Sequence, residues 1–226
     1  MLYEPAYVLL IAVALALVLP EPGRWNPFRS VQPAARGLAR DLPKSGPWAT
    51  GAGILVLGLI APSAVAATWA LTSGLPVALR LVSPDASPIV AVILAAALLR
   101  LTFQMRPAWA WARAAGGESP RGRGSHIIQV LGAEFAAPVM LFALLGIYAP
   151  VVYRVALEVA RGLGDKPENE PVAAPAVWLA YIPAYLGQRL VTLFALLASR
   201  GRRASPTPTY CAAAATIALA LLVTIW

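Results

Sequence analysis

The sequence holds a single cysteine, Cys211, and a single histidine, His126. A lone cysteine cannot close a disulfide within the chain, and one histidine with no cysteine cluster builds no metal site. Charge is scarce as well. Asp, Glu, Lys and Arg make up 12% of the residues, about half of the roughly 25% that covers a water-facing surface. No Walker loop, nucleophile elbow or Cys/His arrangement is present. Gly122 and Gly124 in a basic loop are too sparse to read as a phosphate cradle. No internal repeat is evident, so an inverted-repeat transporter has no support.

What is abundant is apolar. Hydrophobic residues account for 59% of the chain, and the mean hydropathy is +0.70. They fall into blocks near the roughly 20 residues that a bilayer core of about 30 Å requires. The expected class is all-α: a polytopic helical membrane protein of about six transmembrane helices, with residues 1–226 forming one membrane domain. The net charge of +8 does not imply nucleic acid, because the arginines sit in short loops without aromatic interleaving. Anionic headgroups are the expected counter-charge, and the lipid bilayer the expected partner.

The first helix is predicted at about 5–20, ended by Pro20-Glu21-Pro22-Gly23. It reads as a retained span, since the run lacks a basic n-region and a small-residue cleavage site. Val31, Ala34, Ala35 and Leu38 recur at helical period, predicting a short amphipathic helix at the interface. Further helices are predicted at about 48–71, 89–105, 127–160, 175–199 and 210–226. The fourth is too long for one straight span, and Pro138 and Pro150 are expected to break or kink it. Trp109 and Trp111 read as an interfacial belt.

The loops after helices one, three and five hold five, four and three Lys/Arg, twelve of the chain's eighteen. The loop after helix four mixes Arg161 and Lys166 with acids. The positive-inside rule then puts the first three loops in the cytoplasm and the fourth opposite, in a multi-pass arrangement suited to a bacterial inner membrane.

An ionisable residue at membrane depth is costly, so each is a functional candidate. The candidates are Glu134, Arg154, Glu158 and Arg189, with Arg100 near a helix end. Glu158 follows Arg154 by four residues, so the two can pair along one helix face. Glu134 and Arg189 could meet between helices four and five; the other reading is structural, with charges that lock helix packing or arginines such as Arg100 and Arg189 snorkelling to the headgroups. His126, beside Ser125 at a helix start, reads as an interfacial cap.

The order of segments resembles the adenosylcobinamide-phosphate synthase (CobD/CbiB) family of cobalamin biosynthesis and its AmpE-like relatives. The segments are Pro20-Glu21-Pro22-Gly23-Arg24-Trp25-Asn26-Pro27, then Ala137-Pro138-Val139-Met140-Leu141-Phe142 continuing to Tyr153-Arg154, then Tyr181-Ile182-Pro183-Ala184 with Leu186. They resemble the family's opening helix and Gly-Asp-Pro turn, its Ala-Pro-Leu-Phe-Trp helix ending in Tyr-Lys, and its Trp-Ile-Pro-Ala segment. The resemblance implies an inner-membrane protein linked to cobalamin assembly or membrane-associated regulation, with a corrinoid substrate if it is an amide-forming enzyme. Where family synthases carry a Glu-Asn and Ser-Asp-Gly stretch, this chain has Gln129, Val130, Gly132, Ala133 and Glu134. Leu157 and Ala160 replace an Asn and an Asp, and Ala176 and Val177 replace paired aspartates. An ATP-dependent ligase needs such carboxylates for Mg²⁺ and acid–base work. The expectation is therefore a divergent member without the full catalytic set. Glu134, Arg154, Glu158, Arg189 and Gln129 are its candidate substrate-binding residues, with no catalytic residue, cofactor or metal assigned. The alternatives are a non-catalytic subunit contacting other membrane proteins, or a small-solute transporter component.

Overall fold

The computed structural model describes residues 5–19, 26–80, 86–103 and 128–199. The expected sixth helix, His126, Cys211, the Trp109–Trp111 belt and the arginine loops at 106–123 and 200–203 lie outside these residues. Among the described residues the chain is helical and has no strand.

α1 covers Pro5–Val18. Asn26 caps the next segment, its Oδ1 accepting from the Phe28 N–H at 3.0 Å, and a 3₁₀ turn at Pro27–Ser30 leads into α2, Val31–Ala39. The helix is where it is predicted, but its buried positions are Ala35 and Ala39, whereas Ala34 and Leu38 of the predicted apolar face are exposed, as is Arg36. α3 runs over Trp48–Arg80, α4 over Ala86–Thr102, α5 over Ile128–Leu145, α6 over Tyr148–Gly164 and α7 over Glu170–Ser199.

α3 and α5 each contain one π-type turn, at Ala70–Gly74 and Gly132–Ala136. Each ends two residues before a proline, Pro76 and Pro138. A proline supplies no N–H to the preceding turn, and a wider turn is one way the helix absorbs that loss. In a π register the Pro138 nitrogen would face the Ala133 carbonyl, which is thus left without a backbone donor. The Tyr153 hydroxyl donates to that carbonyl at 2.7 Å. Elsewhere Thr68, Thr72, Ser63 and Thr192 donate their hydroxyls to the carbonyl four residues earlier in their own helices. Polar side chains in these apolar helices therefore find partners without water.

The fourth predicted span proves to be two helices. The chain breaks at Gly146, whose φ of +77 is open to glycine and strained for other residues. Pro138 lies in the turn following the π segment and Pro150 in the first turn of α6, where a missing N–H is tolerated. Neither proline makes the break. α6 then returns antiparallel to α5, bringing Tyr153 and Arg154 beside residues 133 and 134.

α6 is the hub. It packs against α7, α2, α3 and α5, while α1 packs on α4. Of the apolar clusters, the largest two join α1, α4 and α5 through Leu9, Leu99, Phe103 and Phe135, and α2, α3, α6 and α7 through Val56, Val155, Val159 and Val172. Glycine permits the closest approaches. A Cβ on Gly132 would lie 2.6 Å from the Gln188 Cα of α7, one on Gly162 would lie 3.0 Å from the Gln32 Cα of α2, and Gly53 abuts the Val172 carbonyl.

The outside is apolar. Trp48, Ile54, Leu55 and Trp69 of α3, Ile89 and Ile93 of α4, Leu144 and Leu145 of α5, and Trp178, Tyr181 and Ile182 of α7 are all exposed. The interior instead holds Arg154, Glu158 and Glu134. By length and composition, Trp48–Arg80 and Ile128–Leu145 are the described helices able to cross a membrane; Pro5–Ala16 and Ser87–Thr102 are shorter apolar helices.

The hairpin changes the expected arrangement of loops. Arg36 of α2 donates from Nε to the Gly162 carbonyl at 2.9 Å and pairs with Asp165. Lys44 approaches Glu168 at 3.9 Å. The connection after α1 and the one after α6 therefore lie at the same end of the bundle, not at opposite ends. The turn at Gly146, which splits the fourth predicted span into α5 and α6, is the reason.

Candidate functional site

The π-type turn of α5 and one face of α6 enclose a cluster of four charges. Arg154, Glu158 and Arg161 follow one another at spacings of four and three, so one stripe of α6 carries all three. Arg154 Nη1 donates to Glu134 Oε2 at 2.5 Å, and its Nη2 pairs with Glu158 Oε1. Arg161 pairs with Glu134 through Nη2 and with Glu158 through Nη1 at 3.2 Å. Each carboxylate thus meets two guanidinium groups, and each guanidinium two carboxylates. α2 completes the ring: Gln32 Nε2 donates to Glu158 Oε2 at 2.6 Å.

Burial differs around the ring. The side chains of Arg154, Glu158 and Glu134 are exposed by 1%, 3% and 6%, against 41% for Arg161. Arg154 is thus the interior cation and Arg161 the one that reaches the surface. The formal charges cancel, which is the condition for holding two carboxylates in a low-dielectric interior. The match is incomplete, since Arg154 Nε is buried without a hydrogen-bond partner among the described residues.

Of the residues expected from sequence, Glu134, Arg154 and Glu158 come together, and the Arg154–Glu158 pairing along α6 is present. Arg189 does not join them. It lies on an exposed part of α7, donates to the Tyr185 hydroxyl at 2.7 Å and sits 4.9 Å from the centre of that ring. Glu134 and Arg189 therefore do not meet, because α7 turns Gly187, not Arg189, towards the π segment. Gln129 is exposed, near the start of α5. Arg100 is buried near the end of α4 and donates to the Phe103 carbonyl at 3.3 Å.

Three members are not among the residues expected from sequence: Arg161, Gln32 and Tyr153. Arg161 was findable, being three residues after Glu158 on the same stripe. Gln32 and Tyr153 carried no such signal, since their partners are 126 and 20 residues away. Chemically, the cluster is a closed ion-pair ring. Both of its carboxylates are engaged by arginine, and among the described residues no group of three or more His, Cys, Asp or Glu is placed to hold a metal ion.

No family model, curated protein or solved structure matches this chain.

Proposed function

We propose that the chain is a multi-pass membrane protein of about six spans that acts by contact with other membrane components and not by catalysis. It is read as a divergent, non-catalytic relative of the CobD/CbiB and AmpE-like proteins of bacterial inner membranes. The observation that carries this reading is the closed ring of Glu134, Arg154, Glu158 and Arg161, whose charges satisfy one another inside an apolar-faced bundle. Such a ring locks helix packing and leaves neither Glu134 nor Glu158 free for Mg²⁺ or proton transfer. Two apolar helices and the broad apolar exterior support the membrane setting. The end of the bundle bearing Arg29, Arg36, Arg40, Lys44, Arg161 and Lys166 is then the cytoplasmic one.

The test is extraction in a mild detergent followed by size-exclusion chromatography and native mass spectrometry. A fixed partner protein at constant stoichiometry is expected; a lone monodisperse chain overturns the reading. Amide formation between a corrinoid acid and aminopropanol phosphate, with nucleotide consumed, would also overturn it.

The π-type turn at Glu134 favours a second reading, because such turns recur at functional sites. In that reading the chain is a transporter component, and Glu134 exchanges partners as solute passes. Glu134→Gln would then abolish uptake into proteoliposomes, and unchanged flux removes it.

A further inference from the structure

A cleft of about 350 Å³ opens where α2 meets the connection between α6 and α7. Four cationic residues line it: Arg36 and Arg40 from the end of α2, Lys44 from the loop beyond, and Lys166 from the α6–α7 connection. They come from segments more than 120 residues apart in sequence and converge because Gly162 lets α2 close onto α6. Their countercharge is incomplete. Asp165 pairs with Arg36, and Glu168 stands 3.9 Å from both Lys44 and Lys166, while Arg40 has no acidic partner among the described residues. Four positive charges thus meet two negative ones. The wall also contains Asn169, nine-tenths buried, whose Oδ1 has no hydrogen-bond partner among the described residues. That oxygen is an acceptor, so it suits a hydroxyl of a headgroup and not the phosphate itself, which the cations would hold.

We infer that this cleft binds the phosphate of an anionic phospholipid headgroup. This rests on the membrane reading above. Phosphate is the chemistry indicated, since converging arginine and lysine donors match its oxygens. The lipid is favoured over free phosphate by position. The cleft is bordered by the amphipathic α2, and the next helix opens at Trp48, which is 77% exposed, as for a tryptophan at headgroup depth. A basic pocket beside transmembrane helices at the cytoplasmic face is where anionic headgroups collect.

The test titrates the purified full chain in detergent with short-chain phosphatidylglycerol, short-chain phosphatidylcholine and inorganic phosphate, with bound lipid read by native mass spectrometry. Phosphatidylglycerol is expected to bind and the other two to bind far more weakly. Arg40→Gln and Lys44→Gln are each expected to weaken phosphatidylglycerol binding by about fivefold, as the loss of one cation near an anionic surface implies. Should either variant unfold, Lys166→Gln serves in its place, because that side chain is 70% exposed. Equal affinity for phosphatidylcholine, or unchanged affinity in these variants at unchanged melting temperature, overturns the inference. Inorganic phosphate binding as tightly as the lipid overturns the assignment to a headgroup. A carbonate wash of cell membranes separates the two levels: protein retained in the pellet confines a negative result to the cleft, whereas release into the supernatant removes the membrane reading itself.

Discussion

Replacing Arg154 by methionine is the sharpest probe of the charge ring. Methionine keeps much of the side-chain length and removes the guanidinium that bridges Glu134 at 2.5 Å and Glu158. Two buried carboxylates then face one cation, Arg161, which is itself 41% exposed. Removing one partner of a buried ion pair costs about 3–5 kcal/mol, because the remaining charge is left in a poorly solvating interior. At 1.4 kcal/mol per factor of ten, the folding constant falls by about 10²- to 10³-fold or slightly more. A second substitution separates charge imbalance from lost packing. Adding Glu134→Gln to Arg154→Met leaves Glu158 opposite Arg161 at 3.2 Å, again net neutral, so much of the loss returns. The assay is reversible unfolding in mixed micelles with increasing SDS, or steric trapping in bicelles, on the single and double variants. A single variant within about 1 kcal/mol of the parent, or a double variant less stable than the single, would refute the argument, since buried contact pairs must couple.

The remaining predictions concern the bundle around the ring. Tyr153→Phe strands the Ala133 carbonyl beneath Pro138 and should destabilise by about 1–3 kcal/mol, the cost of an unsatisfied buried acceptor; an unchanged SDS midpoint argues against the π-turn account. Gln32→Leu removes a 2.6 Å donor to a charged oxygen and should cost about 1.5–3 kcal/mol in the same assay. Gly132→Ala forces a Cβ against the backbone of Gln188 and should cost about 1–3 kcal/mol, whereas Gly58→Ala meets nothing within 4 Å and is expected to be neutral or mildly stabilising. For topology, single cysteines at Ser45 and Lys166, in a Cys211→Ser background, should be labelled from the same side of sealed vesicles. One at Leu145, exposed beside the turn, should be labelled from the other side; labelling of positions 45 and 166 from opposite faces would refute the α5–α6 hairpin.

Local features were legible because their causes lie within a few residues. The apolar blocks announced helices, since runs of this length are longer than strands and suit a helix. The period of Val31, Ala34, Ala35 and Leu38 announced α2, and the four-residue spacing of Arg154 and Glu158 announced their pairing. The same spacing rule, taken one step further, would have included Arg161. A break was expected at the prolines, yet Pro150 sits in the first turn of α6, where an absent N–H is tolerated, and the π-type turn with Tyr153 accommodates Pro138. Gly146, with its φ of +77, made the turn.

From the sequence by itself came the helical class, the scarcity of water-facing surface and the set of charges that had to find partners in an apolar interior. Their pairing was settled only by tertiary structure. Glu134 joins Arg154 and Arg161, and not Arg189, because α6 folds back on α5 and because Gly132 and Gly187 let α7 cross at the π segment. The basic residues of α2 and of the α6–α7 connection share one cleft for the same reason. Helical period is written in neighbouring residues, but which faces meet depends on turns and close approaches set by single glycines far apart in the chain.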